Sequence, residues 1–295
     1  MKDPSPAMGI LLADKPAGVT SHDVVAVVRR ALRRGKAGHA GTLDPFATGL
    51  LVLGIGRATR LLEYLTGLDK EYVGTACLGV ATDSLDPEGA RVAEDDRWRA
   101  LSADRIRSVA ARLVGTMLQT PPAYSAVKVD GVPAHRRVRR GEKVELRPRT
   151  VTVRSMEILE LALPTVRFRV ACSSGTYVRS LAAEMGGRLG TACHLTALRR
   201  TRVGDLHLRD AAPLGALQRG EIPPRAWVEA VPALAHLPCV VVEPGEAAML
   251  AAGRRVPSGA PDCGAAVFAL PGGRLVAVGA VRDGVLEPRK VFQRV

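Results

Sequence analysis

Residues 35–49 read GKAGHAGTLDPFATG, a loop punctuated by glycines, and they run directly into the apolar stretch LLVLGIG. A run of that length and hydrophobicity fits a buried strand. Asp44 precedes Pro45, so its backbone is pushed away from the helical region towards extended geometry. Glycines at 38, 41 and 49 let the loop approach a ligand closely. A loop of this kind can hold a carboxylate out of the core and in a cleft. Taken alone, an Asp-Pro pair is more often a turn or a cap. The segment is not the D-x-D-x-T of aspartyl phosphatases, because the second Asp is missing.

Around that loop the chain reads as mixed α/β. Gly9 to Ala13 is a short strand stopped by Lys15-Pro16. Thr20 and Ser21 offer helix N-caps, with Asp23 placed as in a capping box. Val24, Val27, Val28, Ala31 and Leu32 recur at helical spacing, with Arg29, Arg30, Arg33 and Arg34 on a basic flank. Tyr72 to Ala81 alternates as a strand, TDSLDPEG is a turn, and Ser102 caps a helix to about Val114. Strands are expected at about 151–158 and 165–172. SSGTYVRSLAAEMGGRLG then reads as loop into helix, and a second helix is expected near 194–199. Residues 120–150 begin with two prolines and carry a dense basic block, which marks an excursion from the core sheet. Pro223, Pro224, Pro232 and Pro238 place a domain boundary near 235. Beyond it, one short helix (Glu246 to Ala252) and strands near 264–270, 274–281 and 284–287 suit a small β module.

Composition narrows the function classes. With 42 Lys and Arg against 29 Asp and Glu, the net charge is +13, which fits a polyanionic partner and fits equally a solvated, Arg-rich surface. Aromatic residues make up only 3%, too few for a broad single-strand stacking platform. The five cysteines are scattered with no C-x-x-C pair, so they read as mostly buried, reduced thiols rather than disulfides or a zinc site. The N-terminal stretch lacks a signal-peptide layout and no run approaches a membrane span. The expectation is a cytoplasmic protein with no membrane partner.

The segments GHAGTLDPFATG, KEYVGTACLGVATDSLDPEG, PPAYSAVKVDG and SSGTYVRSLAAEMGGRLG occur in that order. Together with LLADKPAGVTSHDVV and HLTALRRTRVG, they closely resemble the tRNA pseudouridine-55 synthases of the TruB family over about residues 9–205. The resemblance implies an isomerase that converts a uridine in the tRNA T-loop to pseudouridine, with no cofactor and no metal. It implies a pseudouridine synthase fold: a central, mostly antiparallel sheet and a thumb-like insertion at about 120–150 within a catalytic domain 1–235. A small PUA-like RNA-binding domain at 236–295 would follow. It also implies a stand-alone monomer whose partner is the T-arm of tRNA.

By the same resemblance, Asp44 is the nucleophile, Tyr72 stacks on the target uracil and serves as the base, and Arg179 ion-pairs with Asp44. His39, Tyr177 and Leu198 fall at substrate-contact positions, Lys15 supports or neighbours the Asp44 loop, and Asp86 is an acidic position near the pocket. A neighbouring guanidinium is expected to lower the Asp44 pKa and keep it ionised. The cluster Arg136, Arg137, Arg139, Arg140, Arg147 and Arg149 grips phosphates in an RNA enzyme and is otherwise a solvated face. His135 departs from the tyrosine common in the family. A non-catalytic tRNA-binding or tRNA-folding role is the rival reading, and a guide-RNA-dependent enzyme is a second.

Overall fold

The computed structural model describes residues 8–33, 35–125, 127–129, 131–138, 140–142 and 144–293, without the side chains of Pro133 and His135. Its backbone is an eleven-stranded sheet. The strands that frame the site are β1 (Gly9–Lys15), β2 (Ala37–His39), β3 (Thr48–Ile55), β4 (Lys70–Leu78), β5 (Gly115–Gln119), β6 (Arg149–Ala162), β7 (Thr165–Cys172), β8 (Cys193–Val203) and β9 (Ala212–Pro213). Across the sheet they run β9-β1-β3-β8-β4-β7-β6-β5, with β2 paired to β3. Most pairs are antiparallel; β1–β9 and β3–β8 are parallel.

Alternation explains where the layers go. On β1, Leu11 and Ala13 face a helix-side core, while Ile10 and Leu12 face a second core on the opposite side. A strand buried on both faces needs a continuous apolar run, and GILLA is one. The helix-side core is built on α1 (Ser21–Ala31), capped by the reciprocal Thr20–Asp23 pair. α2 (Ala103–Ala111) and α3 (Val178–Leu189) cover the other half of the sheet, burying Ile106, Val109, Leu181 and Met185 against Phe168 and Val170. Each such side chain contributes about 1.5–3 kcal/mol of transfer free energy.

The C-terminal strands β10 (Cys239–Val241), β11 (Val256–Pro257), β12 (Cys263–Leu270), β13 (Arg274–Arg282) and β14 (Val285–Val291) form a separate five-stranded sheet with α4 (Pro244–Ala251). Its Val267, Ala269, Leu275 and Val278 share a core with Ile10, Leu50 and Val52 of the large sheet. Arg57 and Arg60 both donate to the Val291 carbonyl at 2.9 Å. Within 120–150, a two-stranded hairpin and a short helix (Ala134–Val138) stand off the large sheet, as the prolines and basic block predict.

One expected element is corrected. Residues 194–199 are not a helix but part of β8, at the centre of the sheet. Register shifts between Leu195 and Ala197, and again between Arg200 and Arg202, mark bulges in that strand. A bulge inserts one residue and flips the alternation, so Leu195 and Leu198 reach the same core and imitate helical spacing. The cysteines also need adjusting: all five are free, but only Cys172 and Cys193 are buried, and Cys239 is exposed.

Candidate active site

The residues on either side of Asp44 are clamped. Lys15, fully buried at the end of β1, donates to the carbonyls of Pro16, Val19 and Pro45 at 2.9, 2.7 and 3.1 Å. The Gly18 N–H reaches the same Pro45 carbonyl at 3.0 Å. Ser21 at the start of α1 accepts from the Leu43 N–H at 2.9 Å and donates to the Leu43 carbonyl at 3.2 Å. Burial pulls the Lys15 ammonium down to about 8, with the Asp44 charge opposing the fall. At the far end of the loop, a Cβ on Gly49 (φ +101°) would lie 2.3 Å from the Arg200 carbonyl oxygen. Only glycine fits there. The loop is pinned by these contacts at both ends, while the Asp44 side chain keeps 34% of its surface exposed.

Arg179, in the first turn of α3, is 3% exposed and gathers the site. Its Nη2 donates to Asp44 Oδ1 at 3.2 Å and to the Tyr124 carbonyl at 2.9 Å. Nη1 donates to Asp86 Oδ2 and to the Ser84 carbonyl, both at 2.9 Å. Nε lies 3.0 Å from Asp44 Oδ2 without hydrogen-bond alignment. Leu85, between Ser84 and Asp86, takes φ +64°, a conformation rare outside glycine. That twist lies between the two Arg179 acceptors Ser84 and Asp86. Tyr124 belongs to the root of the 120–150 excursion, so one guanidinium ties that excursion to the Asp44 loop.

Asp44 and Arg179 also border a cavity of about 260 Å³ that holds Tyr72, Tyr177 and Leu198, and a second of about 560 Å³ on the Asp86 side. Tyr72 is nearly buried on β4, and burial raises its phenol pKa, with Arg200 opposing. Gln119 holds Tyr177 by accepting from its N–H at 2.7 Å and donating to its carbonyl at 3.1 Å. Arg149 stacks on the Tyr177 ring, 4.6 Å from its centroid. Gln119 and Arg200 carry no signal in the sequence, since nothing in the linear order pairs them with Tyr177 or Tyr72.

His39 lies on β2 beside His22, ring centroids 5.9 Å apart, and is not among the residues bordering either cavity. Burial lowers its pKa, and the charges of His22 and Arg200 add to that. Of the basic cluster, Arg136 and Arg140 are exposed. Arg137 is paired with Glu142 at 2.6 Å. Arg149 turns into the cleft instead. Arg139 and the His135 side chain lie outside the described residues. Among the described residues, no group of three His, Cys, Asp or Glu is arranged to hold a metal ion.

The electrostatics of Asp44 reverse the expectation from sequence. Burial raises its pKa above the ordinary carboxylate value, Arg179 lowers it by less, Asp86 adds to the rise and Lys15 opposes it. Arg179 is shared with Asp86, so it cannot spend its whole charge on Asp44.

Residues 29–178 match the model of the TruB family pseudouridylate synthase N-terminal domain. The chain is 44% identical to a tRNA pseudouridine synthase B of Thermobifida fusca, over 97% of this chain and 99% of that one. The chain belongs to the TruB family. A TruB-family relative from Corynebacterium aurimucosum, also a tRNA pseudouridine synthase B, is 46% identical over 94% of both chains. Among solved structures, the archaeal box H/ACA sRNP Nop10–Cbf5 complex contains a chain with a TM-score of 0.74 and 27% identity. The match covers 99% of this chain and 90% of that one. The fold is therefore the pseudouridine synthase fold expected from the motifs, with a C-terminal β domain of PUA-like character, and the activity class is that of an isomerase. Among the described residues no helix is long and apolar enough to cross a membrane.

Proposed function

We propose that this protein isomerises the T-loop uridine of tRNA, position 55, to pseudouridine, with Asp44 as nucleophile. The observation that carries the reading is the Asp44 carboxylate at the meeting of two cavities, held by Arg179 and sharing one cavity with Tyr72. Making pseudouridine breaks the N-glycosidic bond, turns the uracil and rejoins it through carbon. Substrate and product have the same atoms, so no redox equivalent or water is consumed. A carboxylate that captures base or sugar covalently divides one difficult step into two. The uracil must leave its stack; Tyr72 receives it, Tyr177 and Leu198 close the walls, and His39 takes the vacated space. Asp86 and Lys15 hold Arg179 and the Asp44 loop in place.

Recognition rests on the shape of a bent RNA loop and an extruded base, with Arg136, Arg137, Arg139 and Arg140 meeting phosphates along the 120–150 excursion. Residues 1–235 form the catalytic domain and 236–295 the PUA-like RNA-binding domain of a cytoplasmic monomer that needs no protein partner. Identity is 44–46% to the two tRNA pseudouridine synthase B relatives and 27% to the chain of the H/ACA complex, which favours the guide-independent reading. The assembled trio Asp44, Tyr72 and Arg179 speaks against a role confined to binding or folding tRNA. Purified protein incubated with an unmodified tRNA transcript should yield pseudouridine at the T-loop position alone. Absence of the product, or its appearance elsewhere, contradicts the proposal.

A further inference from the structure

Arg200 is 1% exposed and, among the described residues, forms no salt bridge with a carboxylate. A guanidinium buried without a counter-charge is costly, and its partners show what holds it. Nε donates to the Leu50 carbonyl at 2.7 Å and Nη2 to the Gly41 carbonyl at 3.1 Å. These carbonyls stand at the two ends of the stretch that contains Asp44. The Arg200 backbone also pairs with Gly49 in the parallel β3–β8 ladder. On its other side, Arg200 lies directly opposite Tyr72 in the β4–β8 register, so the two side chains are neighbours on one face of the sheet. Both residues border the cavity that holds Asp44.

We infer that Arg200 is a positioning residue that fixes the spacing between the Asp44 loop and Tyr72 and presents positive charge to the phenol oxygen. Guanidinium only donates hydrogen bonds, so a bond between the two side chains has the phenol oxygen as acceptor and leaves its own O–H for the cavity. The charged and titratable groups around the phenol include Arg200, Cys172 and Asp44, with Lys70, Arg149 and Arg179 on the same cavity. The inference rests on the Asp44–Tyr72 cleft being the pseudouridine-forming site, and the test separates the two.

Full-length Arg200→Gln and Arg200→Lys are compared with wild type by circular dichroism, tRNA affinity and single-turnover pseudouridine formation. The Tyr72 phenol is titrated by ultraviolet difference against the matching Tyr72→Phe proteins. Arg200→Gln should lose about a hundredfold in rate, the scale of an ångström-sized misplacement. Its tRNA affinity should hold within a few fold, and its phenol titration should move up in pH. Arg200→Lys, which keeps the charge, should show a smaller loss and a phenol titration near that of wild type. Wild-type rate in either variant, equal losses in both with an unmoved phenol titration, or failure of both to fold would overturn the inference. Wild type that makes no pseudouridine would refute the functional reading instead, and the phenol titration would still report the Arg200–Tyr72 coupling.

Discussion

Arg179 meets Asp44 with two of its nitrogens, at 3.0 and 3.2 Å, while a third holds Asp86 at 2.9 Å. One cation thus serves two carboxylates. Asp86 is buried as deeply as Arg179 itself, whereas Asp44 keeps a third of its surface in the cleft. The arrangement separates a sealed pair from one open to the cleft.

The acid limb of the rate should follow. A nucleophilic carboxylate is inert when protonated, so activity rises with pH through the Asp44 pKa and then levels off. Burial sets that pKa above the ordinary value, so the limb should lie above the usual aspartate range of about 3.9. Single-turnover rates across acidic pH measure it; a limb at or below the ordinary value contradicts the direction.

Replacing Asp86 with Asn should destabilise the fold more than replacing Asp44. Breaking a buried pair costs about 3–5 kcal/mol, and the low end applies because Asp44 still faces Arg179. Asp44→Asn leaves Arg179 paired with Asp86 and should change stability by less than about 1 kcal/mol in either direction, because burial already disfavours the Asp44 charge. Denaturant unfolding of the two variants gives the order directly.

Lys15→Met should slow the reaction without unfolding the protein or weakening RNA binding beyond a few fold. The Pro45 carbonyl loses a donor, and the Asp44 loop loosens. Because Lys15 lowers the Asp44 pKa, its loss should also move the acid limb further up. A slower enzyme with an unmoved limb would restrict Lys15 to holding the loop.

Binding should weaken steeply with salt, because each neutralised phosphate releases counterions. Arg136→Gln and Arg140→Gln, both exposed, should each reduce the slope of log affinity against log salt by about one. Affinity indifferent to salt would refute the phosphate grip.

Much of this was legible in the chain because its motifs are contiguous. The strand β1 and the Thr20–Asp23 cap each rest on neighbours in sequence. What stayed hidden depends on the sheet. The bulges in β8 disguised a strand as a helix, and only the folded register sets Arg200 opposite Tyr72. The direction of the Asp44 shift was hidden for a related reason. The family resemblance pairs Arg179 with it, but burial and the competing claim of Asp86 are properties of the assembled site.

The nucleophile assignment is tested most directly by Asp44→Asn, a change that keeps shape and removes the charge. Single-turnover incubation with unmodified tRNA transcript should give no pseudouridine, with tRNA affinity and folded spectrum kept close to those of wild type. Product formed by that variant at a rate near wild type would contradict the account at its root.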